Sequence, residues 1–149
     1  MKSIGLLTRL RVVVDTNVFV SAFIWGGNPR KVIQKWLREE FVLLLSPFLL
    51  AEIILVLKRF GFDQADQQRL RYILENNSLK FFPKRKVHLC SDEKNNQVLD
   101  LCLAGRADYL ITGDKELLAI KDFQGTKIVS VKEFLVSRKK DKDVSVSET

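Results

Sequence analysis

Two aspartates follow apolar segments that are typical of buried strands. Asp15 comes directly after the three valines of residues 12–14, and Asp114 follows the segment 109–113. An ionised carboxylate at the end of a buried strand is costly unless its charge is used. Each aspartate could cap the helix that begins after it or serve a reaction site, and the pattern leaves both roles open. Because parallel strands end at one edge of a sheet, we expect the two carboxylates to lie close together.

Glu52 is an acid within an otherwise apolar helical segment. Its neighbours three and four positions away cannot form an ion pair with it. They are Phe48, Leu49, Leu55 and Val56. Glu52 either faces solvent on a narrow polar stripe or points into a site. The adjacent Ala51 and Ile53 do not extend a polar stripe, which favours the site. We therefore expect Glu52 to reach the sheet edge that carries Asp15 and Asp114.

Three converging carboxylates would repel one another, and at least one would retain its proton. Such a group suits a hard divalent cation, Mg²⁺ or Mn²⁺, which oxygen ligands and water coordinate. In a carboxylate cluster beside a basic surface, the ion activates water and stabilises the charge on a phosphate. The residues therefore predict phosphodiester hydrolysis, with Asp15, Glu52 and Asp114 as catalytic and metal-binding acids.

Apolar segments typical of strands alternate with segments of helical periodicity along most of the chain. The predicted strands are residues 12–14, 41–45, 79–82, 108–112 and 126–130. Helices are predicted to begin after Asp15, at Pro29, at Pro47, at Asp63, at Ser91 or Asp92, at Lys115 and at Lys132. This alternation predicts an α/β fold with a parallel sheet of about five strands and right-handed crossovers.

The length and composition indicate a single globular domain. The chain has 149 residues, of which 46% are hydrophobic and 29% charged, values that favour one domain with an ordinary core. We expect a domain over residues 1–137 and a charged, disordered tail over residues 138–149. No membrane-spanning segment or signal peptide is expected, so the predicted location is the cytoplasm. Cys90 and Cys102 are expected to be reduced thiols, since with the lone His88 they match no zinc pattern.

The net charge of +7 favours an anionic partner, either nucleic acid or an acidic protein. Several basic residues could contact phosphates or could be solvated surface cations. They are Arg11, Lys58, Arg59, Lys84, Arg85, Lys86 and Arg106. Trp25 follows the first predicted helix and could stack on a base or pack in a core or interface. Trp36 lies on a helical apolar stripe, which favours packing.

Three segments, taken together with their order and spacing, resemble the PIN-domain family over about residues 11–136. They are Val-Val-Val-Asp15-Thr-Asn17-Val, Ser46-Pro-x-x-x-x-Glu52 and Ala107-Asp108-Tyr-Leu-Ile-Thr112-Gly113-Asp114-Lys-Glu-Leu-Leu. The similarity is greatest to bacterial and archaeal PIN proteins described as toxin components of toxin–antitoxin pairs.

This resemblance implies a three-layer α/β/α sandwich and a Mg²⁺- or Mn²⁺-dependent endoribonuclease that cleaves single-stranded RNA. It also implies a homodimer and an antitoxin protein that inhibits the enzyme. Position by position, Asp15, Glu52 and Asp114 match the metal-site acids of the family. Thr112 matches a polar residue beside the site, and Asn17 matches a polar residue in the first helical turn.

One position departs from the family pattern. The family has an Asp-Asn pair at the start of the fourth helix, and Asn95 stands where the aspartate is expected. An amide oxygen can coordinate a metal ion but lacks the negative charge that a hard cation prefers. Asn95 is therefore expected to be a weakened fourth metal ligand. Asp92, one turn earlier, could substitute for it or could cap the helix, and Asp100 is a weaker candidate.

Two functional hypotheses remain open. The first is the metal-dependent ribonuclease. The second is a catalytically impaired PIN-like module that binds RNA or a partner protein without cutting, which Asn95 favours. A flavodoxin-like receiver domain also needs an aspartate after its first strand. It fits less well because the first turn here lacks an acidic pair and Glu52 would have no role.

Overall fold

The computed structural model describes residues 9–138, which fold into six strands and seven helices. The strands are β1 Arg11–Val14, β2 Val42–Leu45, β3 Ser78–Lys80, β4 Tyr109–Ile111, β5 Asp122–Phe123 and β6 Thr126–Val129. The helices are α1 Thr16–Ile24, α2 Gly27–Leu37, α3 Pro47–Arg59, α4 Gln64–Asn76, α5 Glu93–Gly105, α6 Lys115–Ile120 and α7, residues 131–138.

The strands form one sheet in the order β3-β2-β1-β4-β6-β5, in which only β5 is antiparallel to its neighbour. The five parallel strands therefore end at one edge, here called the carboxyl edge, and begin at the amino edge. The chain moves outward from β1 to β3 and then reverses to β4 on the other side of β1. Right-handed crossovers then set α1–α4 on one face and α5–α6 on the other, which confirms the expected α/β/α sandwich.

The central strands are buried on both faces, as the run of apolar residues predicted. Val12, Val13 and Val14 of β1 have no exposed surface. Trp36 of α2 is also buried, and its ring stands edge-on to Phe19 at 5.9 Å. Its indole Nε1–H donates to the Asn77 carbonyl oxygen at 2.7 Å, so the polar atom is satisfied. The prediction that Trp36 packs in the core is confirmed.

Side-chain caps set the starts of α3 and α4 where the sequence predicted them. The Ser46 hydroxyl accepts from the Leu49 amide at 3.2 Å, and Pro47 opens α3. Asp63 and Asp66 form a reciprocal capping box at the start of α4. Gly61, at φ +100°, follows the end of α3, where a left-handed backbone favours glycine.

Three details of the predicted elements are wrong. The prediction lacked β5, which pairs with β6 through a tight turn at Gln124 and Gly125, both with positive φ. Glutamine at the first turn position is not the Asn or Asp that marks such a hairpin. Helix α2 begins at Gly27, two residues before Pro29. Strand β3 ends at Lys80, although the Phe81 amide still donates to the Leu45 carbonyl at 2.9 Å.

The predicted charged tail lies outside the described residues except for Arg138, and the domain limits 1–137 and 138–149 stay a prediction. Within the part of the chain that the structure describes, no helix has both the length and the apolar composition needed to cross a membrane.

Candidate active site

Asp15 lies at the carboxyl edge between β1 and β4, where the direction of the sheet connections reverses. Such switch points are where open α/β sheets bind ligands. Asp15 is 7% exposed and caps α1, since its Oδ1 accepts from the Thr16 amide at 2.8 Å. Its Oδ2 accepts from the Thr112 hydroxyl at 2.8 Å. Asp15 therefore caps a helix and also holds a fixed carboxylate at the switch point.

Asp114 follows β4 at the same edge and caps α6. Its Oδ1 accepts from the amides of Glu116 at 2.8 Å and Leu117 at 3.3 Å. The Asp114 amide donates to the Thr112 hydroxyl oxygen at 3.0 Å, and that hydroxyl donates to Asp15. Thr112, fully buried, thus joins the two aspartates through a continuous hydrogen-bonded chain. The expected convergence of the two strand ends is present.

Glu52 lies in α3 with a side chain only 15% exposed, and its ionic partner was not predicted from the sequence. Lys94, from α5, places its Nζ 3.6 Å from the Glu52 Oε1. Glu52 therefore has a cationic partner, although its neighbours along α3 offer none. Lys94 lies on α5, on the opposite face of the sheet from α3. Sequence spacing along α3 therefore could not indicate this partner.

The charges of Glu52 and Asp114 act on the carboxyl group of Asp15. Burial raises the pKa of Asp15 above its ordinary value, and the hydrogen bonds from Thr112 and Thr16 oppose that rise. The nearby charges of Glu52 and Asp114 raise the pKa of Asp15 further. Asp15 also contributes to raising the pKa of the buried thiol of Cys102, although burial is the larger cause. The switch point therefore concentrates negative charge in a poorly solvated place.

The donor chemistry at this edge fits a hard divalent cation, but the acids are not gathered around one point. Among residues 9–138, no group of three or more His, Cys, Asp or Glu side chains is close enough to hold a metal ion. The oxygen donors present are carboxylates, and Thr16 adds a buried Oγ1 that has no hydrogen-bond partner within that range. A cation would relieve the desolvated charge of Asp15 and satisfy unpaired oxygen.

Asn95 lies in the first turn of α5, 5% exposed, and it contacts an acid that the sequence analysis did not single out. Its Nδ2 donates to the Glu116 Oε1 at 3.1 Å. Glu116 also accepts from the Ser91 hydroxyl at 2.7 Å and from the Ser91 amide at 3.0 Å. These bonds lower the pKa of Glu116 to about 2, with the Ser91 hydroxyl the largest cause.

Nothing in the sequence set Glu116 apart as a site residue. It is a second acid in the first turn of α6, two residues after Asp114. Acids at that position commonly complement the helix dipole, which made it indistinguishable from an ordinary helix-start acid.

The remaining site candidates have structural positions. Asp92 caps α5, because its Oδ1 accepts from the Lys94 amide at 2.9 Å. Asn17 is exposed in the first turn of α1. The buried carboxylate of Asp100 accepts from the amides of Lys86 and Val87 at 3.0 and 2.9 Å. Asp100 therefore holds the loop before α5. Cys90 and Cys102 are free thiols, as expected.

Four of the seven basic candidates lie at or near the amino edge, away from the acids. Arg11 begins β1, donates through Nε to the Gly105 carbonyl at 2.7 Å and lies over the Phe81 ring, so it has a structural role. Arg106 follows α5, and Lys58 and Arg59 end α3, which starts at the carboxyl edge. Only Lys84, Arg85 and Lys86 remain in a loop that leaves the carboxyl edge after β3. Trp25 follows α1 and contacts Phe60 beyond α3, also away from the acids.

The comparisons with known proteins agree with this architecture. The family model described as PIN domain matches residues 11–116. The chain is also 32% identical over 127 residues to the uncharacterized protein MJ1680 of Methanocaldococcus jannaschii, a match that covers 76% of this chain and 77% of that protein. This chain belongs to the PIN domain family. PIN domains are generally metal-dependent nucleases that typically use Mg²⁺ or Mn²⁺.

Proposed function

We propose that this protein is a Mg²⁺- or Mn²⁺-dependent endoribonuclease that cleaves phosphodiester bonds of single-stranded RNA. The observation that carries the proposal is the buried carboxylate of Asp15 at the sheet switch point, whose pKa rises through burial and through the charges of Glu52 and Asp114. The buried carboxylate of Asp15, with the charges of Glu52 and Asp114 nearby in a PIN-family fold, is costly without a cation and suits one.

In this proposal, Asp15, Glu52 and Asp114 hold the cation, and Asn95 adds a weaker oxygen ligand. When bound, the ion activates water and neutralises charge on the phosphate. Thr112 fixes the orientation of Asp15 through its hydroxyl, and its link to the Asp114 amide keeps the ends of β1 and β4 in register. Asn17 and Asp92 support the site from the first turns of α1 and α5.

Lys94 neutralises Glu52 in the absence of the ion. Its side chain is 61% exposed, so it can leave Glu52 for solvent or for a phosphate when a cation binds. Glu52 would be free to hold a divalent ion once the Lys94 ammonium has moved to solvent.

The second candidate function is a catalytically impaired module that binds RNA or a partner protein. Two observations favour it: Asn95 replaces an expected acid, and Lys94 already occupies Glu52. The two functions differ in whether the protein cuts RNA when Mn²⁺ is supplied.

The finer assignments rest on the resemblance to PIN toxins. They are a toxin role, an antitoxin partner, a homodimer and a cytoplasmic location. Exposed large apolar side chains are compatible with a protein interface. Among the described residues they include Trp25, Leu37, Leu55, Phe60 and Tyr72.

Cleavage of a mixed-sequence single-stranded RNA in Mn²⁺ tests the proposal. We expect the protein to cut, and we expect Glu52→Gln to slow cutting by about 100-fold or more, because it removes a ligand charge. Asp122→Asn, which alters an exposed acid of β5, is the matched control and should leave the rate unchanged.

Asn95→Asp separates the two candidate functions. If the wild-type protein cuts and Asn95→Asp cuts faster, the nuclease reading holds and Asn95 is a weakened ligand. If the wild-type protein is inert and Asn95→Asp restores cutting, the chain is an impaired PIN module. If neither protein cuts, the ribonuclease proposal is wrong for this chain.

A further inference from the structure

Phe82 is the most exposed of the large apolar side chains in residues 9–138, at 78%. It lies two residues beyond the end of β3, in the segment that leaves the carboxyl edge. A phenyl ring so exposed has no packing role in the core, whereas its neighbour Phe81 packs against the core. The role of Phe82 therefore depends on the grooves and charged groups around it at the surface.

Two grooves meet at Phe82. The first has a volume of about 310 Å³ and is lined by Phe48 and Arg85, among others. The second has a volume of about 280 Å³ and is lined by Lys80, among others. Ser46, Pro47 and Phe82 line both grooves. The ring thus projects between two open spaces with apolar walls. Arg85 lines the first, whereas Lys80 in the second is ion-paired with Glu75 at 3.8 Å.

These grooves lie on the same sheet edge as the candidate active site. Asp15 follows β1, Ser46 follows β2 and Phe82 lies beyond β3, and these are three consecutive parallel strands in the sheet. Neighbouring strands are about 4.8 Å apart, so the backbone near Phe82 is roughly 10 Å from Asp15 along this edge. Residues 97 and 100 of α5, the helix that carries Asn95, line the first groove as well.

The charge beside Phe82 is positive and is held in place. Lys84, Arg85 and Lys86 follow Phe82 and are exposed. The Asp100 carboxylate accepts from the amides of Lys86 and Val87, which fixes the backbone of this loop on α5. Arg85 is paired with Glu93 at 2.7 Å, whereas the side chains of Lys84 and Lys86 are exposed. An aromatic face flanked by cations is the arrangement that binds single-stranded nucleic acid.

We propose that Phe82 is a stacking platform for one base of a single-stranded RNA, with Lys84 and Lys86 contacting the adjacent phosphates. The nucleotide bound there lies next to the one at the Asp15 site, so Phe82 positions the strand for cutting. The position of the subsite rests on the proposed ribonuclease function, but its binding of RNA can be measured without cleavage. Stacking on one ring tolerates any base, so this subsite sets register and affinity more than sequence preference.

The test is the affinity of the full-length protein for a fluorescein-labelled, mixed-sequence single-stranded RNA, measured by anisotropy in EDTA so that no cleavage occurs. Phe82→Ala should weaken binding at least about fivefold, because loss of one base–aromatic stack has that size. Phe82→Trp should bind as well as the wild-type protein or better. Trp25→Ala, which removes a ring 69% exposed near the amino edge, is the matched control and should not change the affinity.

An abasic oligomer of the same length separates stacking from charge. It should bind the wild-type protein and Phe82→Ala equally, since it offers no base to stack. The proposal is overturned if Phe82→Ala binds the RNA as tightly as the wild-type protein does. A second contradicting result is that Phe82→Ala weakens binding of the abasic oligomer as much as it weakens binding of the RNA. It is also overturned if Phe82→Ala changes the mass measured by light scattering and leaves RNA binding intact, because the ring then covers a protein contact.

The result is distinguishable from failure of the proposed nuclease. If Phe82→Ala weakens RNA binding but the wild-type protein does not cut RNA in Mn²⁺, the subsite is supported and the nuclease proposal is wrong. If the wild-type protein cuts RNA in Mn²⁺ and Phe82→Ala binds RNA as tightly as the wild-type protein, the nuclease proposal is supported and the subsite is wrong.

Discussion

Asp15 holds a carboxyl group in a place that solvates its charge poorly. The Thr16 amide and the Thr112 hydroxyl donate to the Asp15 carboxylate, and the Asp114 amide donates to Thr112. The bonds to the carboxylate do not cancel the effect of burial on the pKa of Asp15. Functional sites commonly hold such unfavourable charge, and its removal tends to stabilise the fold. The same feature that favours a cation therefore makes the metal-free protein less stable at neutral pH.

Asp15→Asn should raise the thermal midpoint of the metal-free protein at neutral pH by a few degrees. The folded pKa of Asp15 is raised above its ordinary value of 3.8. Protonation of Asp15 therefore contributes stability that is complete below the unfolded pKa and is lost as the pH rises through the folded pKa. The asparagine does not titrate, so its advantage should vanish at acidic pH.

Thermal unfolding in EDTA across that pH range is the measurement. Asp122→Asn, on the exposed β5, should follow the wild-type curve at every pH. A lower midpoint for Asp15→Asn at neutral pH would contradict this account of Asp15.

Asn95 and Glu116 form a contact that an aspartate at position 95 could not make. Asn95→Asp would replace the Nδ2 donor with a carboxylate beside the Glu116 Oε1, now 3.1 Å from Asn95. Without metal, the two like charges should lower the thermal midpoint by several degrees. With Mn²⁺, the added charge gains a counter-ion, so Mn²⁺ should raise the midpoint of Asn95→Asp more than that of the wild-type protein.

Differential scanning fluorimetry with and without Mn²⁺ checks this expectation. Asn28→Asp, at an exposed position of α2, is the matched control and should respond to Mn²⁺ as the wild-type protein does. An equal response of Asn95→Asp and the wild-type protein would separate position 95 from the metal site.

At the scale of elements, the segment between β3 and α5 has no regular structure, yet α5 holds it at several points. Asp100 accepts from the amides of Lys86 and Val87. Asn96, 2% exposed, accepts from the Cys90 amide at 2.7 Å and donates to the Cys90 carbonyl at 3.0 Å. The basic loop is thus presented by α5 as a fixed part of the carboxyl edge.

Asp100→Ala should release this loop. It removes a buried acceptor of two amides, a loss of roughly 2–3 kcal/mol in the free energy of unfolding. Hydrogen exchange of the Lys86 and Val87 amides should become faster, while the amides of β1 keep their protection. Asp100→Asn should retain part of the protection, since its amide oxygen still accepts.

Asp122→Ala is the matched control for the loop. Its carboxylate also accepts from a backbone amide, that of Gly125 at 3.2 Å, but it is exposed. It should therefore cost well under 1 kcal/mol. Unchanged exchange at Lys86 and Val87 in Asp100→Ala would show that other contacts hold the loop.

The elements were largely predictable from the sequence, whereas their mutual contacts were not. Buried strands at β1 and β2 and the caps Ser46, Asp63 and Asp92 follow from local patterns. Lys94 on Glu52 joins residues on different helices, so it depends on how those helices pack. The Asn95–Glu116 contact likewise joins α5 to α6, and no spacing along either helix indicates it.

At the scale of the whole molecule, the net charge of +7 does not come from the C-terminal residues. Residues 139–149 contain three lysines and three acids, which cancel. The positive excess therefore lies on the remainder of the chain, which includes the loop of Lys84, Arg85 and Lys86 beside the carboxyl edge. In the proposed ribonuclease, a single-stranded RNA along that edge would lie beside both the positive loop and the acids.

The salt dependence of RNA binding tests this charge distribution. The logarithm of the affinity should fall linearly with the logarithm of salt concentration, and each lost phosphate contact should reduce the slope by about 0.7. The double variant Lys84→Ala/Lys86→Ala should reduce the slope, whereas deletion of residues 139–149 should leave it unchanged. The opposite pattern would move the RNA contacts from the loop to the C-terminus.

Isothermal titration of Mn²⁺ into the metal-free, full-length protein tests most directly whether the acids at the sheet switch point form a metal site. We expect saturable binding by the wild-type protein, loss of that binding in Asp15→Asn, and unchanged binding in Asp122→Asn. Absence of Mn²⁺ binding by the wild-type protein, or equal binding by Asp15→Asn, would contradict it.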